Sequence, residues 1–524
     1  MAVGFHNFVS VIAEVVNPVL GIATMNSVAI RIQYACYLVL AISCPMVLLD
    51  QGRLQAAEPI DIGDRLELFV DDFLLAQMDG TQRRLHQPTP RNIAVACDQP
   101  WEGNGVGYVT VIPDDDVYRM YFRGVNTKWA PGKIVNTRQV VCYAESSDGI
   151  HWTKPKLGLF EHGGSKENNI VWIGKGVHNF APFKDANPDC KPDEKFKAVG
   201  GGPLYGFTSP DGIHWSQVSE EPIITHGAFD SQNLVFWDSN QGEYRDYHRG
   251  FRDGRDILTA SSKDFRDWTQ PVFLEYVPSR MYQLYTNQIT LYHRAPHIYL
   301  GFPTRYYDRG WTPSTDELPQ VEHRKLRAET SPREGSALTD GLFMSSRDGK
   351  TFEIWPEAFV RPGPQRPGTW FYCDHYQNWG LVETESDQPG APPELSIYLT
   401  ENTANTTDVG YIRRYSLRLD GFVSISARAS GGECLTKPIR FQGSRLLMNF
   451  STSVAGGIRI EIQAADGKPI PGYSLDDAVE AFGDQLDRVA MWKHGSDVSQ
   501  LQGKTVRLRF EMKDADLYSI QFRE

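Results

Sequence analysis

Four segments of the chain carry the same short phrase. They are Ser146-Ser147-Asp148-Gly149-Ile150-His151-Trp152, Ser209-Pro210-Asp211-Gly212-Ile213-His214-Trp215, Ser262-Lys263-Asp264-Phe265-Arg266-Asp267-Trp268 and Ser346-Arg347-Asp348-Gly349-Lys350-Thr351-Phe352. Asp-Gly supplies the positive φ angles of a tight hairpin, and the aromatic that follows suits the apolar seam between neighbouring sheets. A strand, a turn and an aromatic returning at this spacing mark a radial β-architecture. The four Asp residues, with His151 and His214, are therefore read as turn formers rather than as chemistry.

Between these turns, apolar and polar residues alternate in five consecutive units. The first runs over about 100–154, the second 179–216, the third 229–269, the fourth 285–355, and the fifth begins at Trp370 and includes 395–399 and 411–417. The fourth holds a polar insertion, 307–340, expected as a surface loop or lid. Asp114-Asp115-Asp116 reads as a solvated hairpin tip. After Asp420-Gly421 the phrase stops while the alternation continues, which reads as an appended β-sandwich. The expected fold is all-β: a five-bladed β-propeller over 100–419 followed by a C-terminal β-sandwich over 420–524. Residues 58–99 are expected to wrap the propeller and close its ring.

Residues 33–49 are almost wholly apolar, follow Arg31, and precede the small-residue exit Ala56-Ala57. This pattern predicts a secretory signal over 1–57, with Met25 as an alternative start, and a secreted or periplasmic protein. A membrane anchor formed by 33–49 is the rival; after cleavage no stable membrane insertion is expected. The net charge of −12 comes without a Lys/Arg cluster, which argues against a nucleic-acid partner. Beyond the signal, Cys97, Cys142, Cys190, Cys373 and Cys434 are odd in number and widely spaced, so neither a disulfide framework nor a zinc site is expected. No metal and no cofactor are expected.

Five four-stranded units of this kind resemble the five-bladed propeller glycoside hydrolases. These are the invertase and levansucrase group, the arabinanase and xylosidase group (families 32, 43 and 68), and the mannoside phosphorylases. A propeller followed by a sandwich is most similar to the invertase group. The run Ala144-Glu145-Ser146-Ser147-Asp148-Gly149-Ile150-His151-Trp152 is also similar to secreted bacterial proteins related to that superfamily. The resemblance covers about 100–524 and is architectural. The first unit lacks Asn-Asp-Pro-Asn-Gly, the second lacks Arg-Asp-Pro, and the third lacks Glu-Cys. It implies a carbohydrate substrate and paired carboxylates on the first and third blades, positions that match Glu102 and Asp230.

In a propeller the innermost strand of a blade begins at one rim, and the second strand ends there. First-strand starts hold Trp101, Glu102, His178, Asn179, Asp230, Asn287, Asp374 and His375; second-strand ends hold Arg123, Arg249 and Arg305, with Arg294 as an addition. Acids, amides, histidines, arginines and aromatics on one rim suit a sugar ring, which has apolar faces and hydroxyl edges. Glycoside hydrolysis needs one carboxylic acid to protonate the leaving oxygen and a second carboxylate to activate water or attack the sugar. Asp230 is expected as the acid and Glu102 as base or nucleophile, an order open to exchange. Asp374, Asp71 and Asp72 stand in reserve. Three alternatives remain: a phosphorylase whose arginines hold phosphate, a sialidase-like enzyme whose arginines grip a carboxylate, and a non-catalytic glycan-binding propeller.

Overall fold

Strands dominate because alternation and tight turns run the length of the chain. The computed structural model describes residues 58–404 and 409–524; the expected signal, with its apolar run 33–49, lies outside the described residues. Five sheets follow one another in sequence. The first orders Gly107–Asp114, Val117–Gly124, Val140–Ser146 and Ile170–Trp172, and the second Ala181–Lys184, Phe196–Gly200, Tyr205–Ser209 and Ser216–Gln217. The third orders Leu234–Asp238, Glu243–Phe251, Arg255–Ser262 and Val272–Phe273. The fourth is built on Thr290–Tyr292, Ala295–Gly301, Met344–Ser346 and Thr351–Ile354, with Glu275–Val277 as a parallel edge. In the fifth, Glu394–Glu401 pairs Tyr411–Arg418, which in turn pairs Thr89–Ala96 from the N-terminal side of the chain.

The repeated phrase works as a staple. Asp148 Oδ1 accepts the backbone N–H of Ile150 and His151 (both 2.8 Å), and Ser146 Oγ accepts that of Gly149 (2.9 Å). This closes the turn on itself and leaves the Gly149 carbonyl pointing outward. That carbonyl accepts the hydroxyl of Tyr398, from the fifth sheet, at 2.5 Å. Gly212 accepts Tyr121 of the first sheet (2.9 Å), and Gly349 accepts Tyr247 of the third (2.8 Å). A Cβ at Gly212 would lie 2.6 Å from the Tyr121 oxygen, so glycine is required for the approach as well as for its φ of 76°. In the third phrase Phe265 replaces glycine at φ 68° and drives its ring against Phe183 of the second sheet. Each phrase thus ties its own sheet to the preceding one, and the first sheet to the fifth.

Buried apolar clusters fill the seams: Val111, Phe122 and Ile412 between the first and fifth sheets, Tyr121, Phe180 and Phe207 between the first and second, and Leu300, Phe343 and Leu395 between the fourth and fifth. Where the innermost strands converge, buried amides replace apolar packing. Gln232 Nε2 donates to Val109 O (3.1 Å) and Thr110 Oγ1 (3.0 Å); Gln288 Nε2 donates to Gln232 Oε1 (2.7 Å) and Gln377 O (2.8 Å). Four of the five sheets meet through this chain of bonds.

Beyond Asp420, Arg445–Ala464 and Val506–Arg523 pair along most of their length in a ten-stranded sheet. Its partners include Ile60–Gly63, Glu67–Leu68, Leu75–Asp79 and Thr81–Leu85. The stretch 58–99 is therefore divided. Ile62, Phe69 and Leu74 enter the apolar core of the C-terminal sheet, while only Thr89–Ala96 joins the fifth sheet. Residues 59–524 form one compact unit.

The insertion in the fourth unit is more ordered than a polar surface loop. It carries helices Pro313–Asp316, Val321–Ala328 and Pro332–Ser336. Arg324 and Arg327 are buried beneath it, donating to the carbonyls of Trp370 (2.6 Å) and Tyr372 (3.1 Å). Among the described residues no helix is long and apolar enough to cross a membrane.

Candidate functional site

The loop before Leu234–Asp238 holds Asp230 out into solvent. Asn179 Nδ2 donates to the carbonyls of Phe229 (2.7 Å) and Ser231 (2.8 Å), and Asn233 Nδ2 donates to the same two (both 3.0 Å). Ser231 Oγ donates to Tyr285 O (2.7 Å), fixing the loop to the fourth unit. With its backbone pinned on both sides, Asp230 keeps its side chain 69% exposed. Oδ1 lies 3.1 Å from His178 Nε2, and Oδ2 lies 3.7 Å from Arg249 Nη2. His178 Nδ1 in turn faces Gln139 Oε1 (3.1 Å) and Arg123 Nη1 (3.4 Å). Partial desolvation pushes the Asp230 carboxyl up, but the His178 hydrogen bond and the charges of Arg249, His178 and Arg123 outweigh it and hold it below the usual carboxylate value. A carboxyl held low in this way suits a base or nucleophile, the exchanged order of the two roles.

Tyr108 and Tyr285, which the charge of Asp230 reaches, belong to a buried cluster with Tyr306, Tyr372 and Tyr376. Arginines lie on their faces, Arg123 over Tyr108 (4.9 Å), Arg249 over Tyr285 (5.1 Å), Arg255 over Tyr306 (4.1 Å) and Arg333 over Tyr372 (4.9 Å). Tyr108, Gln288, Cys373 and His375 all adopt positive φ at innermost-strand starts, a concentration of backbone strain of the kind found at functional sites. Burial pushes the Cys373 thiol up to about 11, so it is neutral. Glu334, on the last helix of the insertion, pairs with Arg333 (3.2 Å) and Arg327 (3.5 Å). Its charge reaches Cys373.

Of the residues expected at this rim, the structure brings together Asp230, His178, Arg123 and Arg249, with Asn179 behind them. Glu102 is a correction. Its side chain is wholly buried, accepting from Lys154 Nζ (2.7 Å), Asn169 Nδ2 (3.1 Å) and the Gln99 N–H (3.1 Å). Desolvation outweighs these partners and raises its carboxyl. It is a buried counter-ion, closed to substrate. Trp101 serves the same corner, donating Nε1 to Asn169 Oδ1 (2.6 Å).

The other expected residues are held elsewhere. Asn287 is a backbone clamp, donating to Tyr247 O (3.0 Å) and accepting from the Ile289 N–H (3.2 Å). Arg294 sits in the hairpin between Thr290–Tyr292 and Ala295–Gly301, at the far end of those strands, bonded to Asp420 (2.9 Å). Arg305 is neutralised by Asp340, stacks on Tyr282 (4.6 Å), and lines a separate cleft of about 660 Å³ with Tyr307 and Trp370. Asp374 and His375 are each 1% exposed and face each other at 2.8 Å. Asp71 pairs with Arg347 and Asp72 with Arg83. No group of three or more His, Cys, Asp or Glu suited to a metal ion occurs among the described residues.

Six participants were not expected: Tyr108, Tyr306, Tyr376, Arg255, Arg333 and Glu334. Arg255 opens the third strand of its sheet and pairs with Phe251, two residues past Arg249. The rim rule, extended to third-strand starts, finds it. Arg333 and Glu334 lie in the insertion, where no strand periodicity marks them.

No family model matches the chain. Uncharacterized protein Rv1502 of Mycobacterium tuberculosis is 30% identical over 149 residues, 28% of this chain. The match spans 44% of that relative's length. Glycoside hydrolases are among the solved structures to which the chain is similar. The catalytic domain of the Coprinopsis cinerea GH62 alpha-L-arabinofuranosidase has a TM-score of 0.38 and 11% identity, with 64% of this chain and 99% of that chain covered. A glycosyl hydrolase from Bacteroides ovatus has a TM-score of 0.39 and 13% identity, covering 67% of this chain and 96% of that chain.

Proposed function

We propose that the protein is a secreted glycan-acting hydrolase, with its five consecutive sheets as the blades of a five-bladed β-propeller and its chemistry at the rim that carries Asp230. The observation that carries this reading is an exposed carboxylate whose backbone is pinned on both sides and which faces His178 and Arg249. The arginine and histidine donors around it suit the hydroxyl edges of a sugar. Two carboxylates are needed. Asp230, held ionised, takes the part of base or nucleophile. Glu334, which the insertion brings to Arg333 and within reach of Cys373, is the second carboxylate in place of Glu102. The C-terminal sheet supports the blades and contributes no reacting group.

The test is a polysaccharide panel with product analysis, run on the wild type, Asp230→Asn and Glu334→Gln. Each substitution is expected to lower turnover of any cleaved glycan by about 100-fold or more, the lower end of what acid–base catalysis supplies. Wild-type rates in both variants sink the assignment. Sequencing the N-terminus of exported protein, expected to start near residue 57 or 58, tests secretion separately.

A further inference from the structure

Charge at the rim is unbalanced. Arg123 donates Nε and Nη2 to Gly105 O (3.3 and 3.1 Å), and among the described residues it forms no ion pair with a carboxylate. Arg255 donates Nη1 to Gln283 Oε1 (2.7 Å), lies between Tyr306 (4.1 Å) and Tyr285 (5.3 Å), and likewise has no ion pair among the described residues. Its Nε is buried without a hydrogen-bond partner, as is Nη1 of Arg333. Arg249, 7% exposed, reaches its one carboxylate, Asp230, only at 3.7 Å. A buried guanidinium N–H without an acceptor is costly. Two of them, with Arg123 unpaired by any carboxylate among the described residues and beside the same tyrosine cluster, are a standing demand for an anion, in a chain whose overall charge is −12.

We infer that the glycan bound at this rim is acidic, carrying sugar carboxylates that Arg123, Arg255 and Arg333 receive. This deepens the hydrolase reading and rests on it for the site. Guanidinium matches carboxylate geometry through paired N–H donors, which ammonium does not. Arg255 and Arg333 lie over rings that touch each other, Tyr306 and Tyr372 (5.5 Å between centroids), and Arg123 lies over Tyr108 of the same cluster.

Calorimetric titration of the wild-type protein tests this with oligosaccharides from pectin and alginate, each beside its carboxyl-reduced counterpart. The acidic forms are expected to bind at least about tenfold more tightly, one charge-assisted hydrogen bond being sufficient for that ratio, and to weaken as salt rises. Arg255→Gln should remove the preference and Arg255→Lys restore it in part. Equal binding of acidic and reduced forms overturns the inference, and the wild-type comparison decides it even if the variants fail to fold. Inorganic phosphate binding more tightly than any acidic glycan, with the same arginine dependence, overturns it in favour of phosphate. The two readings fail separately. Cleavage of a neutral glycan at full rate by Arg255→Gln defeats the acidic substrate and leaves the hydrolase. Arginine-dependent binding of acidic glycans without cleavage of any of them defeats the hydrolase and leaves the acidic ligand.

Discussion

Asn179 holds Asp230 from behind: its amide nitrogen bonds the carbonyls on either side of that residue, at 2.7 and 2.8 Å, while its oxygen accepts the Gly201 N–H at 2.6 Å. One buried amide thus satisfies three backbone groups and sets the direction of an exposed carboxylate that it never touches. Asn179→Ala strands the Gly201 N–H and leaves the two carbonyls to Asn233. The expected cost is about 1–3 kcal/mol, read as a lower denaturant midpoint. Turnover per folded molecule should fall with it, because Asp230 loses its aim. A drop in stability with unchanged turnover would show that Asn233, which bonds the same carbonyls, is sufficient alone.

The two acids expected to work together should part company under mutation. Asp230→Asn removes an exposed charge, so the fold should hold its melting temperature within a degree or two while activity collapses. Glu102→Gln leaves Lys154, 23% exposed, facing a neutral amide in a buried corner. Its expected result is the reverse: about 1–3 kcal/mol of stability lost, with near-normal activity per folded molecule. Thermal melts beside rate measurements separate the two patterns.

Trp215 is 8% exposed and packs edge-on to Tyr121 and Phe180, with ring centroids 6.2 and 5.1 Å away. Trp152 meets Tyr398 at 5.6 Å. Trp152→Ala and Trp215→Ala should each cost about 3–5 kcal/mol, Trp152 toward the lower figure because it is less buried. Neither should alter ligand affinity in the molecules that remain folded. Unchanged midpoints would mean that the seams do not depend on these rings.

Acid should loosen the N-terminal strands through Glu67. Burial alone raises this carboxyl, but the hydrogen bond of His297 and the charge of Arg347 overcome it, lowering the pKa from 4.5 to about 2. A depressed carboxyl contributes stability that is complete above its unfolded value and is lost as pH falls from about 4.5 toward 2. That contribution is on the order of 3 kcal/mol. Denaturant melts between pH 6 and pH 2 should show a shallower acid loss in Glu67→Gln than in the wild type. Parallel curves would remove Glu67 from the acid response.

The strand-turn-aromatic phrase was legible because it is local: Asp148 accepts the Ile150 N–H and Trp152 donates to the Gly149 carbonyl, all within five residues. The tyrosines that cap three of the four turns were not, since Tyr398 and Gly149 are 249 positions apart and no pattern in either segment names the other. At the rim, strand-start reasoning found Asp230, His178, Arg123 and Arg249, because strand direction alone decides which end they occupy. It failed for Glu102, where a further turn intervenes. The Glu102 N–H bonds Gln99 O at 3.0 Å, and this swings the side chain inward to Lys154, the cation that follows the first phrase. A position at a rim can be read from periodicity; the side a residue faces after an irregular turn cannot. The insertion showed the same limit, for Glu334 and Arg333 arrive at the site on a helix that the surrounding strand rhythm does not foretell.

The strands at the head of the described chain find their partners at its tail: Thr81–Leu85 pairs Val423–Ala427, and Thr89–Ala96 pairs Tyr411–Arg418. During synthesis these leading segments emerge first and wait, edges unpaired, for more than three hundred further residues. Unsatisfied strand edges recruit other chains, so the nascent protein carries an aggregation hazard that the finished one does not. The polar, arginine-bearing leading strand Thr81–Leu85 is suited to that interval, and replacing its charges with apolar residues should harm yield in the cell well before it harms the purified molecule.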